Sequence, residues 1–247
     1  MAWKRLHFEE LSSTMDYIRE IQWEPSDSEP YLVVTADYQT RGRGQKGNHW
    51  EAERGKNLLI AIRFMPEKVE ASDQFLLSEA FALAIVDALK ESAGQIGDFC
   101  VKWPNDIYYN DKKICGILLE HELSGEYIRQ TIAGIGINVN QVRFTSDAPN
   151  PISLFQILGH ETDRDRILNC LLSHFPAYYK MLQQGKKLQL HDAYCENLYR
   201  KKGFHPYKDS QGTFMAEIDF IEINGLLHLR DNEGCRRQYA FKEVSFI

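Results

Sequence analysis

No two of the five cysteines in this 247-residue sequence stand close enough to make a C-x-x-C pair. Cys100, Cys115, Cys170, Cys195 and Cys235 are odd in number and widely spaced, which argues against a disulfide framework and against a cysteine-held zinc. Long apolar runs are missing as well. No stretch reaches the roughly 20 residues that a membrane-spanning helix needs, and Met1 to Glu10 carries charges where a secretory signal requires an apolar segment. These absences lead us to expect a cytoplasmic protein with no membrane partner. Positive charge is also scarce. Against 35 Asp and Glu there are 29 Lys and Arg, a net charge of -6, so a general polyanion binder is not expected. Basic clusters in such a chain need a local reason. Repeats and low-complexity tracts are absent too, and 43% hydrophobic residues suffice for one large domain, or one domain with a small appendage.

The patterning predicts an α+β fold, a mostly antiparallel sheet backed by helices. Ser12-Ser13-Thr14 precedes apolar residues at helical spacing, as hydroxyl side chains do at a helix N-terminus. Tyr31 to Ala36 and Asn57 to Phe64 have the β-branched content of buried strands, and Gln74 to Lys90 is apolar at helical spacing with many small residues. Strands are predicted at Phe99 to Lys102, Asp106 to Tyr109, Ile114 to Leu119 and Tyr127 to Asn138, then helices at Arg164 to Leu182 and Leu188 to Tyr199. From Gly203 the pattern changes to short strands with turns at Lys208-Asp209, Asn224-Gly225 and Asn232-Glu233-Gly234. That change divides the chain into a domain over 1–200 and a small β-barrel over 201–247.

Between the first two of these predicted strands lies a glycine-rich basic loop. Gly42-Arg43-Gly44-Gln45-Lys46-Gly47 matches G-x-G-x-x-G, but no apolar helix follows to receive a pyrophosphate, so a dinucleotide fold is not expected. Gly55-Lys56 is followed by Asn57, which rules out a P-loop. A surface loop with solvated charges is the plain alternative. Yet Arg41, Arg43, Lys46 and Arg54 crowd together in an acidic protein, beside glycines that let backbone N–H groups approach an anion. A phosphate ligand suits both features. Trp50 either stacks on a purine or anchors the loop to the core.

Further on, Lys102-Trp103-Pro104-Asn105-Asp106 sets a cation and a carboxylate at a strand junction, followed by Lys113 and Gly116. Gly134-Ile135-Gly136-Ile137-Asn138 puts small residues in an apolar strand, where a ligand or another backbone comes close. Singly, each has a plainer reading as an exposed strand end, a hairpin or a turn. In this order they closely resemble the biotin protein ligase family. Its motifs are a Ser-Thr pair, Q-x-x-G-R-G-x-x-G-x-x-W, K-W-P-N-D, K-[IL]-x-G-I-L and G-x-G-[IL]-N, here Ser13-Thr14, Gln39 to Trp50, Lys102 to Asp106, Lys113 to Leu118 and Gly134 to Asn138.

That resemblance implies a biotin/lipoate ligase-like catalytic domain with a small SH3-like β-barrel at the C-terminal end. It also implies that biotin is activated by ATP as biotinyl-5′-AMP and passed to a lysine of a biotin carboxyl carrier protein or domain of a biotin-dependent carboxylase. On this reading Lys113, Arg43 and Asp106 carry the chemistry. Ser13, Thr14, Gln39, Gly42, Arg43, Gly44, Lys113, Gly116, Leu118 and Gly134 face biotin. Arg43, Lys46, Trp50, Lys102 and Asn138 face the nucleotide, and Asn138 also stands near Mg²⁺, which ATP brings. Two positions depart from the usual pattern: Met15 replaces a common Asn, and Gln45 a second Arg. Ser13-Thr14 comes so early that no DNA-reading module, and no DNA partner, is expected. A homodimer is compatible with the resemblance. A lipoate–protein ligase and a non-catalytic biotin or nucleotide sensor are the competing readings, the second opposed by the presence of both Lys102 and Lys113.

Overall fold

The computed structural model describes residues 3–44, 49–146 and 148–247, so Gln45 and Lys46 lie outside the described residues. A seven-stranded sheet organises the first four-fifths of the chain. In chain order its strands are β1 (Trp3–Phe8), β2 (Tyr31–Ala36), β3 (Leu58–Phe64), β4 (Phe99–Lys102), β5 (Asp106–Tyr109), β6 (Lys112–Ser124) and β7 (Tyr127–Ile137). Their spatial order is β1-β2-β3-β7-β6-β5-β4, with only β1 and β2 parallel. The sheet is therefore mixed but mostly antiparallel, as expected. Strand β1 was not foreseen. Its exposed Lys4, Arg5 and His7 mask the half-buried Trp3, Leu6 and Phe8, a pattern an edge strand tolerates.

Alternate side chains feed two separate cores, as a pleated strand dictates. From β2 and β3, Val33, Ile60 and Ile62 face the main core, while Leu32, Val34 and Ala61 face the opposite side. The main core lies under α2 (Gln74–Ser92), α4 (Arg164–Gln183) and α5 (Lys187–Glu196). Helix α2 is buried almost all round because it is sandwiched between the sheet and α4. Phe81 stacks on Phe175 at 4.1 Å between ring centroids. The other face is covered by α1 (Thr14–Glu20), whose Met15 and Ile18 pack with Trp23 and Ile132. Ser13 caps α1 by accepting a hydrogen bond from the Asp16 N–H. A five-residue helix, α3 (Leu154–Leu158), escaped prediction by its shortness, although Ser153 and Gln156 close a full capping box.

The C-terminal strands are β8 (His205–Asp209), β9 (Gly212–Ile221), β10 (Leu227–Asp231), β11 (Arg236–Tyr239) and β12 (Ser245–Phe246). They form an antiparallel sheet ordered β11-β10-β9-β8-β12, with β11 and β12 at its edges, where a closed barrel was expected. The core does not break at Gly203: Tyr207, Ala216, Leu227 and Leu229 belong to the same buried cluster as α2 and β4. The Asn224-Gly225 turn docks on the first region. A side chain at Gly225 would lie 2.8 Å from the Phe75 ring, and the Gly225 carbonyl accepts a 2.9 Å hydrogen bond from the Trp103 indole. Buried Glu79 of α2 meets His191 Nδ1 at 2.7 Å, while His191 Nε2 donates to the Ile221 carbonyl at 2.8 Å. Burial pushes the Glu79 carboxyl up to about 7. Hydrogen bonds to Cys195 and Glu79 push the His191 imidazole up to about 10. Among the described residues, no helix is long and apolar enough to cross a membrane.

Candidate active site

Three glycines make a bare floor at the centre of the sheet, on the α1 side. Pairing of β6 with β7 sets Gly116 opposite Gly136 and Leu118 opposite Gly134, and β3 adds Leu59 and Ala61 from the other side. A Cβ on Gly136 would fall 2.4 Å from the Trp50 ring, and one on Gly134 would fall 2.3 Å from Met15 Sδ. At Gly116 the nearest atoms would be Trp50 Cζ3 at 3.0 Å and Lys113 Nζ at 3.2 Å. The close approach inferred from the small residues is thus made by Trp50, Met15 and Lys113. A cavity of about 870 Å³ opens over this floor.

The cavity brings most of the predicted residues together. Ser13, Thr14, Gln39, Arg43, Gly44 and Trp50 line one side. Lys102, Asp106, Lys113, Gly116, Leu118, Gly134 and Asn138 line the rest. Gly42 supports the site from behind: its carbonyl accepts from the Trp50 N–H at 3.2 Å, and a Cβ there would meet the Trp50 carbonyl at 2.9 Å. Lys46 lies outside the described residues. Gln39 Oε1 accepts from both the Thr14 N–H, at 2.7 Å, and the Thr14 hydroxyl, at 3.0 Å. That leaves the Gln39 amide as a donor. Arg43 is turned toward α1, 2.6 Å from Asp16 Oδ1. Arg19 also holds Asp16 and reaches Glu120.

The two lysines are held differently. Lys113 Nζ pairs with Asp106 Oδ1 at 2.7 Å and sits 5.7 Å from the Trp50 ring centroid. Lys102 makes no ion pair among the described residues; its ammonium donates to the Tyr108 hydroxyl at 2.9 Å and lies over the rings of Tyr108 and Phe246. Burial holds the Lys102 pKa below the ordinary lysine range, although nearby Asp106 works the other way. Asn138 donates to the Ile152 carbonyl at 3.1 Å, while its buried Oδ1 has no partner among the described residues. The buried Trp50 Nε1 likewise has no partner among the described residues. Among the described residues, no three or more His, Cys, Asp or Glu cluster as a metal site would require.

Several contributors had no signal in the sequence. Glu51 fastens the segment after β7 by accepting from Thr145 N–H and hydroxyl and from Ser146 N–H. Burial opposes its ionisation, but the Ser146 and Thr145 hydrogen bonds prevail and hold its carboxyl below the usual range. Phe241, Lys242 and Phe246 enter the cavity wall from the C-terminal sheet. Over 95 residues separate Phe246 from any motif, so spacing alone gives no hint of it.

A family model described as the biotin/lipoate A/B protein ligase family matches residues 7–138, just over half of the chain and all the strands that form the floor. The chain belongs to the biotin/lipoate A/B protein ligase family. It is a ligase, and the relatives it matches include biotin--[acetyl-CoA-carboxylase] ligases. It is 32% identical to the biotin--[acetyl-CoA-carboxylase] ligase of Paracoccus denitrificans over 86% of this chain and 89% of that one. It is 29% identical to the bifunctional ligase/repressor BirA of Bacillus subtilis over 95% of this chain and 72% of the relative. Its fold is that of the biotin protein ligase from Aquifex aeolicus in complex with biotin and ATP, with a TM-score of 0.80 at 24% identity, covering 99% and 98% of the two chains.

Proposed function

We propose that this ligase joins biotin to ATP, giving biotinyl-5′-AMP and pyrophosphate, and then transfers the biotinyl group to a lysine of a biotin carboxyl carrier domain. The observation that carries the proposal is the meeting of Lys102 and Lys113 in one cavity over the Gly116, Gly134 and Gly136 floor. Two anions must come together in the first step. At about 4 Å and an effective dielectric near 20, two like unit charges repel by roughly 4 kcal/mol, so fixed cations are required between them.

In this scheme a biotin carboxylate oxygen attacks the α-phosphorus and pyrophosphate departs. Lys113 bridges the carboxylate and the α-phosphate, exchanging its partner Asp106 for the substrates. Arg43 leaves Asp16 to add a second contact, and Lys46, outside the described residues, is assigned to the nucleotide by the motif alone. Lys102 receives the departing phosphates. Trp50 offers its ring to the purine and its indole N–H to a ligand oxygen. Ser13, Thr14 and the Gln39 amide hold the polar edge of the biotin head, with Gly44 beside them; Leu118, Gly116 and Gly134 form its apolar wall.

The second step needs a neutral amine. A lysine of pKa about 10.4 is deprotonated only about once in 2,500 molecules at pH 7. Asp106, released from Lys113, accepts that proton as the amine nitrogen attacks the acyl carbon and AMP leaves. Asn138 Oδ1 is a hard oxygen with no partner among the described residues, and it would hold Mg²⁺ carried in with ATP. Bound there, the ion would neutralise phosphate charge. We assign residues 1–200 to a catalytic domain and 201–247 to a smaller second domain, from which Phe246 reaches the cavity wall.

The test is incubation with ATP, Mg²⁺ and a carrier domain, with biotin or lipoate supplied. Pyrophosphate release and carrier labelling with biotin but not lipoate are expected. Absence of both products, or a response to lipoate alone, would refute the proposal.

A further inference from the structure

Lys102 makes no direct ion pair among the described residues, and the way its charge is held reaches across to the C-terminal sheet. Its ammonium lies 4.7 Å from the Tyr108 ring centroid and 5.4 Å from that of Phe246. The Tyr108 hydroxyl accepts one of its protons. Aromatic faces attract a cation without cancelling its field at a distance, whereas a carboxylate in the same place would neutralise it. Lys113, paired with Asp106, is of the second kind. The box is built firmly. Tyr108 is almost wholly buried, and Phe246 packs against Tyr207 and Tyr199. Arg200 fixes the end of β12 by donating to the carbonyls of Pro206 and Ile247.

We propose that Tyr108 and Phe246 are positioning residues that hold the Lys102 ammonium by aromatic contact rather than by a direct ion pair, presenting it to the departing phosphates, which makes strand β12 of the C-terminal sheet a working part of the nucleotide side of the site. This rests on the reading of Lys102 as a phosphate contact. Neither residue touches a reacting atom; both act through Lys102.

The experiment compares the full-length protein with Phe246→Leu, Phe246→Tyr and Tyr108→Phe. Phe246→Leu keeps apolar bulk but loses the ring, Phe246→Tyr keeps the ring, and Tyr108→Phe removes only the hydroxyl. KM for ATP and for biotin are measured in biotin-dependent pyrophosphate exchange, and ATP binding with Mg²⁺ is titrated by calorimetry. Losing one cation–π contact should raise the ATP values about fivefold and leave the biotin KM within about twofold. Tyr108→Phe should shift them in the same direction, and Phe246→Tyr should restore the wild-type values. Unchanged ATP values in Phe246→Leu, or equal rises for ATP and biotin that Phe246→Tyr does not reverse, would overturn the proposal. Should wild-type protein fail to exchange at all, the biotin ligase reading falls, while the ATP titrations still decide on the aromatic box.

Discussion

The two walls of the cavity are built on different principles. Its floor is short-range in sequence: Gly116 and Leu118 on β6 face Gly136 and Gly134 on the neighbouring strand, and Lys113 stands three residues from Gly116. The wall around Lys102 is assembled from afar, with Tyr108 from β5 and Phe246 from the last strand of the second sheet. One wall is fixed by strand register, the other by docking of the second sheet through Trp103, Gly225 and His191. The difference teaches where damage should spread. Changes in the floor should alter chemistry and leave stability alone, whereas changes at the docking joint should alter stability first.

The strongest test of that contrast is Lys113→Ala. It should lower the rate of adenylate formation by about 100-fold or more, as loss of a group that stabilises developing charge does, with an unchanged thermal midpoint. A normal rate would remove the floor from the mechanism. At the joint, His191→Ala leaves the buried Glu79 carboxyl without its cationic partner and should cost about 3 kcal/mol in denaturant unfolding. Loss of activity at full stability would contradict the assignment of a structural role.

Within the floor itself, two glycines should differ. Gly136→Ala meets the Trp50 ring, and Gly134→Ala the flexible end of Met15. The first should displace Trp50 and cost about 1–3 kcal/mol of ATP binding, and the second should cost less, in biotin binding, with Met15→Ala restoring it. Equal losses would mean that both neighbours yield alike. A pH profile separates the lysines. Because burial lowers the Lys102 pKa, its charge is present below that pKa and is lost as pH rises through it, sooner than for an exposed lysine. KM for ATP should therefore climb at alkaline pH before biotin binding changes, and a flat profile would count against Lys102. The smallest effect is expected at the exposed Arg43–Asp16 pair. Asp16→Asn should change the adenylate off-rate only about two- to fivefold, by freeing Arg43 to hold the adenylate.

Much of this arrangement was legible in the sequence, for reasons the two walls illustrate. Periodicity located β2, β3, α2 and the β4–β7 strands, because their buried faces repeat at the spacing of the element. The ordered motifs named nearly every residue lining the floor, since glycines and lysines at fixed spacing on paired strands stay together when the chain folds. Strand β1 was hidden by its exposed charges and α3 by its length. The Lys113–Asp106 pair, the Asp16 hold on Arg43 and the Phe246 contact were not legible, because each depends on tertiary placement that local pattern does not encode.

The most direct test of the central claim is ATP–pyrophosphate exchange by the purified protein, with biotin present or absent. The account predicts that label passes from pyrophosphate into ATP only when biotin is present, and that Lys113→Ala lowers the exchange about 100-fold or more. Exchange that ignores biotin, or that is undiminished in Lys113→Ala, would contradict it.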